Sequence, residues 1–276
     1  MKKIILLFTC FLLISFTSIA NAKKIRIGTE GAYPPWNNLN SAGELEGAEI
    51  DFGKEACERM QVECEWVTQD WDGIIPALLN GKYDIIIAGM SITEERKQKV
   101  NFTDGYMTDG ARFATLSDSG LANLTIGDTT KVNLTDPSGK EKAAVGQLIA
   151  AFDGKTVCVQ SSTIHQNFVD QYMSNVTMKL YQTVDDHNLD LAAGRCDAIL
   201  ADVGSIIDFM ESDGGVNVSF TGPTFSGGVF GEGVGGAVRK EDTDILDMWN
   251  KVIADMSADG TTAKITEKWF GRDISL

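Results

Sequence analysis

The chain alternates short apolar runs with amphipathic stretches. Lys24–Thr29, 62–68 and 84–88 carry the alternating or continuous β-branched and aromatic residues of strands. Between them, 51–60 and 71–80 place apolar residues at helical spacing. A further helix opens over 93–99, with Thr93 as N-cap and Glu94-Glu95 suiting its positive end. A second block of the same kind begins with a strand at 156–160 and runs through another at 197–201. The tail reads as helix over 242–256 and 261–269. Residues 117–142, rich in Ser, Thr, Asp and Gly, read as an elaborated surface loop. This alternation predicts α/β architecture with largely parallel sheets.

One segment has an internal echo. Gly81-Lys82-Tyr83-Asp84, followed by the apolar run 85–88, returns in kind as Gly194-Arg195-Cys196-Asp197, followed by 198–201. In both, a helix ends at glycine, an Asp opens a buried strand, and small polar residues follow the strand's carboxyl end. Open α/β sheets take ligands at such ends, so two copies suggest two lobes with a cleft between them. Chance similarity between two strand units is the alternative.

Residues 1–22 stand apart from this pattern. Lys2 and Lys3, an apolar run over 4–16 and Ala20-Asn21-Ala22 read as a secretory signal peptide cleaved after Ala22. Roughly 15–17 apolar residues fall short of the about 20 a membrane span needs, which favours cleavage over an uncleaved anchor. The whole chain carries 24 Lys+Arg against 39 Asp+Glu, a net −15; without the two leader lysines the balance is 22 − 39 = −17. So acidic a surface repels phosphate backbones and anionic headgroups, and argues against nucleic-acid or membrane-surface partners. A 43% hydrophobic content builds a real core and excludes a disordered acidic tail.

Export favours disulfides among the remaining Cys57, Cys64, Cys158 and Cys196. Cys57 and Cys64 flank a helix-to-strand passage, where a bridge would contribute about 2–3 kcal/mol on the loop-entropy model. Cys158 and Cys196 lie at or beside predicted strands. They pair if those strands are neighbours, and otherwise are two buried thiols.

The first strand end, 88–96, offers Gly89 for close backbone approach, the Ser91 hydroxyl and the start of a helix. Arg96, in its first turn, either grips a carboxylate bidentately or serves as an i,i+4 surface partner. At the second end, Asp202 either faces a ligand ammonium or caps the next helix. Arg96 and Asp202 together would clamp a zwitterion. The turn 160–165, with Ser161, Ser162, Thr163, Ile164 and His165, adds hydroxyls and helix-start N–H groups. Tyr33 and Trp71, beside strand-to-helix turns, either sandwich a side chain or simply pack, and Glu30 is a candidate acceptor for a distal cation.

Catalytic and metal readings find little support. There is no G-x-S-x-G elbow, H-E-x-x-H, Walker A or C-x-x-C. Gly231-x-Gly233-x-x-Gly236 fits a dinucleotide pattern but opens no helix after a strand. His187 reads as a helix-start residue. His165 is either a base or a pocket and cap residue. No metal or cofactor is implied.

Gly28-Thr29-Glu30-Gly31-Ala32-Tyr33-Pro34-Pro35-Trp36, the Cys57 and Cys64 pair, Trp71-Asp72-Gly73-Ile74-Ile75-Pro76-Ala77-Leu78 and Ser91-Ile92-Thr93-x-x-Arg96 form a combined pattern. It resembles the polar amino-acid solute-binding proteins of bacterial ABC importers, especially lysine/arginine/ornithine and histidine binders. Gly194-Arg195-x-Asp197-Ala198, Asp202 and Asp259-Gly260-Thr261 continue the similarity over essentially the whole exported chain. The resemblance implies a two-lobed periplasmic binding protein fold (type II), two α/β lobes joined by two crossing hinge segments. The lobes would be 23–107 plus 229–276, and 112–223, with hinges near 108–111 and 224–228. Ser91 and Arg96, with backbone N–H at Thr163 and Ile164, would hold the carboxylate. Asp202 and Gly89 would hold the ammonium, Tyr33 and Trp71 would flank the side chain, and Glu30 would meet a distal cation. The Cys57–Cys64 bridge also belongs to that branch. The partners implied are an amino-acid ligand and a membrane permease, with the chain acting as a periplasmic monomer.

Departures from the pattern keep other readings open. Ala88 and Gly89 replace hydroxyl residues of some members, and Gln160 and His165 occupy turn positions that vary with ligand. Trp36-Asn37, 187–191, 225–228 and 239–243 look closer to the branch that includes opine binders, so a bulkier arginine derivative stays open. A cyclohexadienyl-type dehydratase on the same fold is the rival from another class, with Glu30 or His165 as its acid.

Overall fold

The computed structural model describes residues 24–122, 124, 126 and 129–276. The segment expected to be a leader lies outside the described residues. Strand β1 (Lys24–Thr29) leads into three short strands, β2 (Ala32–Tyr33), β3 (Asn37–Leu39) and β4 (Leu45–Glu46), which pair antiparallel as a small separate sheet. Helix α1 (Ala48–Met60), strand β5 (Glu63–Thr68), a 3₁₀ turn (Trp71–Gly73), helix α2 (Ile74–Leu79) and strand β6 (Ile85–Ile86) follow. Helix α3 (Glu94–Lys97) and strand β7 (Asn101–Phe102) complete the first half.

The second sheet is built by β8 (Ala111–Leu116), β9 (Lys131–Asn133), β10 (Thr156–Gln160), β11 (Thr177–Tyr181), β12 (Ala198–Asp202) and β13 (Val218–Ser226). Helices α4 (Gly139–Ala151), α5 (Ile164–Tyr172), α6 (Val184–Ala192) and α7 (Val203–Glu211) connect them. After a 3₁₀ turn (Gly228–Phe230), β14 (Ala237–Val238) returns to the first sheet, and α8 (Thr243–Ala258) and α9 (Thr261–Phe270) pack on α1. The first sheet runs β5-β1-β6-β14-β7 and the second β11-β10-β12-β8-β13-β9. The chain therefore crosses between the two sheets twice, which is the two-lobed α/β arrangement expected.

The sheets are mixed rather than largely parallel. β1 pairs parallel with β5 and β6, and β10 with β11 and β12. β8 and β14 run antiparallel because each crosses directly from the other lobe, with no helix to reverse its direction. The internal echo is a structural repeat. Asp84 accepts the Arg26 N–H at 2.9 Å, and Asp197 accepts the Thr156 N–H at 2.7 Å. Each Asp thus fixes the start of its strand against the neighbouring parallel strand.

Other expectations shift. Helix α1 starts three residues before the predicted 51, because Pro35 and Trp36 carbonyls accept the Ala48 and Glu49 N–H groups. The stretch 117–142 is not all loop: it holds β9 and the start of α4, where Ser138 and Glu141 form a reciprocal capping box. Residues 224–226, expected at a crossing, are the last of β13, bonded to β9. Both disulfides are present: Cys57–Cys64, and Cys158–Cys196 between the neighbouring β10 and β12 region. No described helix is long and apolar enough to cross a membrane.

Candidate functional site

The carboxyl ends of β1, β6, β10 and β12 converge on a small, closed-down cavity of about 20 Å³ between the lobes. Its lining contains Glu30, Tyr33, Trp71, Gly89, Ser91 and Arg96 from the first lobe, and Thr163, Ile164, His165 and Asp202 from the second, but not Ser161 or Ser162 of the same turn. Ala88 and Gln160 complete it.

Arg96 is placed by α3, whose N-cap Thr93 accepts the Arg96 N–H at 3.2 Å. Its guanidinium lies over the Trp71 ring, 5.2 Å from the centroid, and donates to the Ser91 carbonyl at 3.0 Å. Enclosure by both lobes desolvates the guanidinium and pulls its pKa down to about 10, so it stays cationic at neutral pH. Opposite, Ser162 adopts a left-handed backbone conformation (φ 58) that turns its carbonyl toward the first lobe. That carbonyl accepts the Trp71 indole N–H at 3.1 Å.

Asp202 is buried at the end of β12 and accepts the Tyr33 hydroxyl at 2.8 Å, a bond from one lobe to the other. His165 Nε2 stands 3.2 Å from the other Asp202 oxygen, out of line for a hydrogen bond, and has no aligned partner among the described residues. Glu30 is buried at the end of β1 and accepts from the Gln160 amide at 2.6 Å. Burial raises its carboxyl to about 7, partly offset by that bond and reinforced by Asp70, Asp72 and Asp185. The cavity thus presents a cation at one wall, a carboxylate at another and a second, desolvated carboxyl within the same space.

Beneath the cavity lies a layer the sequence reading did not identify. Glu49, wholly buried on α1, accepts the Gly89 N–H at 2.7 Å, the Tyr106 hydroxyl at 2.6 Å and the Asn37 amide at 2.9 Å. Burial raises its pKa, and these three bonds oppose the rise. Asn37 in turn accepts the Gly31 N–H at 2.7 Å, linking the floor to the β1 end. The signal was present: Glu49 shares the stripe of Phe52, Gly53 and Ala56, an acid on the core face of a helix. His187 is fully buried without a partner for either ring nitrogen among the described residues, and burial lowers its pKa to about 3.

A two-lobed α/β fold with opposed charges in an interlobe cavity is the form of a solute-binding protein. The chain belongs to the bacterial extracellular solute-binding proteins, family 3, whose family model matches residues 25–272. Among curated relatives, the octopine-binding periplasmic protein of Rhizobium meliloti is 36% identical, covering 93% of this chain and 93% of that one. The L-arginine-binding protein of Pseudomonas aeruginosa is 35% identical over 99% of this chain and 98% of its own. A solved periplasmic His/Glu/Gln/Arg/opine family-binding protein from Silicibacter pomeroyi, in complex with lysine, is 33% identical with a TM-score of 0.73. That match covers 91% of this chain and 99% of the other.

Proposed function

We propose that this protein is the periplasmic ligand-binding component of an ABC amino-acid importer and captures a basic amino acid: arginine, lysine, ornithine or histidine. The observation that carries the reading is the convergence of Arg96, Asp202 and Glu30 on one cavity walled by both lobes. Arg96 takes the α-carboxylate with Ser91 and the α5 N-terminus, and Asp202 takes the α-ammonium with the Gly89 carbonyl region. Trp71 and Tyr33 flank the side chain, and Glu30 meets its distal cation. A ligand that bridges residues of both lobes binds the closed form preferentially, so capture proceeds by hinge closure. The lobes divide as 23–107 plus 229–276 and 112–223. The leader is cleaved after Ala22, and the protein delivers its ligand as a monomer to a membrane permease.

The test is calorimetry on ligand-stripped protein with a panel of amino acids and opines. Binding of a basic amino acid tighter than about 100 μM is expected, the micromolar-to-millimolar boundary of affinity. Arg96→Ala and Asp202→Ala are each expected to cost at least about 2–3 kcal/mol by leaving a buried charge unpaired. Wild-type affinity in either variant removes that residue from the site. Absence of turnover on cyclohexadienyl acids is expected in the same preparation.

A second reading has its own support. The unpartnered His165 Nε2 lies beside Asp202, where an opine would carry a second carboxylate on its α-nitrogen. His165→Ala weakening octopine at least about tenfold more than arginine would favour this reading, the scale of one lost charged contact.

A further inference from the structure

Helices α3, α4, α5 and α6 all begin the same way. Thr93, Ser138, Thr163 and Thr183 each accept, through their own side chain, an N–H three residues on. Helices α1, α2, α8 and α9 have no side-chain cap, and neither has helix α7. Its N-cap is Asp202, in extended conformation (φ −64, ψ 145), and Asp ranks with the best capping residues. Yet its carboxylate makes no capping bond.

The first N–H groups of α7 are satisfied from the crossing segment instead. Val203 donates to the Gly110 carbonyl at 2.8 Å, and Gly204 donates to Asp109 Oδ2 at 2.6 Å. Asp109 is buried and held from the other side by Arg272, 2.7 Å from Oδ1, and by the Gly110 N–H at 2.9 Å. The approach needs glycine at 204. A Cβ there would lie 3.0 Å from Asp109 Oδ2 and 2.6 Å from the Phe270 ring.

We infer that Asp109 is a positioning residue: by capping α7 in place of Asp202, it leaves the Asp202 carboxylate free to face the cavity. Without Asp109, the unpaired N–H groups at the positive end of α7 would draw the side chain of their own N-cap residue, Asp202. That carboxylate would then turn from Tyr33 and the cavity to its own helix. Two carboxylates so close also share a field, and burial together with Asp202 raises Asp109 to about 6. The inference rests on the reading in which Asp202 receives the ligand's ammonium.

Two measurements on the full exported protein separate the inference from that reading. The first is the crystal structure of Asp109→Ala without added ligand. The Asp202 carboxylate is expected within hydrogen-bond distance of the Gly204 or Ser205 N–H and away from Tyr33 Oη. Asp202 remaining on Tyr33 overturns the inference. The second compares L-arginine with its des-amino analogue, 5-guanidinopentanoate, by calorimetry. Asp109→Ala is expected to reduce the arginine preference at least about tenfold, the scale of a lost cap or buried charge contact. Asp109→Asn, whose amide oxygen still accepts the Gly204 N–H, should keep that preference within about threefold of wild type. Equal loss for both ligands in Asp109→Ala with Asp202 still on Tyr33, or a tenfold loss of preference in Asp109→Asn, overturns it. A turned Asp202 with an unchanged preference would uphold the positioning and overturn the ammonium role of Asp202.

Discussion

Glu30 is the residue whose protonation should be visible from outside. Its carboxyl titrates at about 7, raised chiefly by burial. Between the ordinary carboxylate range and pH 7, the folded protein keeps a proton that the unfolded chain has released. Glu30 therefore stabilises the ligand-free fold in acid, and this contribution is lost as pH rises through about 7. Binding a cation has the opposite slope, because it requires the carboxylate. Affinity for arginine or lysine should be about tenfold higher at pH 8 than at pH 6, and Glu30→Gln should flatten that dependence. Calorimetry across the pH range checks it, and a pH-independent affinity in wild type would exclude Glu30 from the cation site. Chemistry at this scale was legible where a charged or aromatic residue follows an apolar strand, as at Glu30, Arg96 and Asp202. It was not legible at Asp109, whose partners are the backbone of Gly204 and a guanidinium 163 positions away.

Among the elements, those with local signals were readable and those closed by distant chain were not. Thr93 capping α3 follows from side chains a few positions apart, and so does the missed capping box of Ser138 and Glu141, obscured by a polar neighbourhood. β14, two residues long, is held by Ile86 and Phe102 across the first sheet, contacts that no short window contains. The disulfides differ in the same respect. Cys57–Cys64 spans 7 positions and Cys158–Cys196 spans 38. On the loop-entropy model the first contributes about 2.4 and the second about 3.9 kcal/mol. Replacing each pair with alanines should reproduce that order in urea unfolding, and a larger loss at Cys57–Cys64 would refute it.

Across the whole molecule, the cleft is also bridged at its rim. Ser161 donates to the Asp72 carboxylate at 2.9 Å, and Asn167 donates to Glu95 at 3.3 Å. Neither pair lines the ligand cavity. If capture proceeds by the proposed hinge closure, these pairs favour the closed form, and exposed contacts of this kind are worth a few tenths to about 1 kcal/mol. Asp72→Ala and Asn167→Ala should each weaken ligand binding about two- to fivefold, chiefly through faster release. Stopped-flow and calorimetric measurements test this, and unchanged release in the double variant would remove the rim from closure.

The path of the chain has a consequence for the order in which the molecule is made. The second sheet draws all its strands from one continuous stretch, 111–226, whereas the first needs β14, more than 130 residues after β7. A ribosome or secretion pore delivers the chain amino end first. The early segment therefore emerges with the partner of β6 and β7 still unmade and the α1 face still awaiting α8 and α9. The inserted lobe has its full set of strands first, and the half that begins the chain is the last to close.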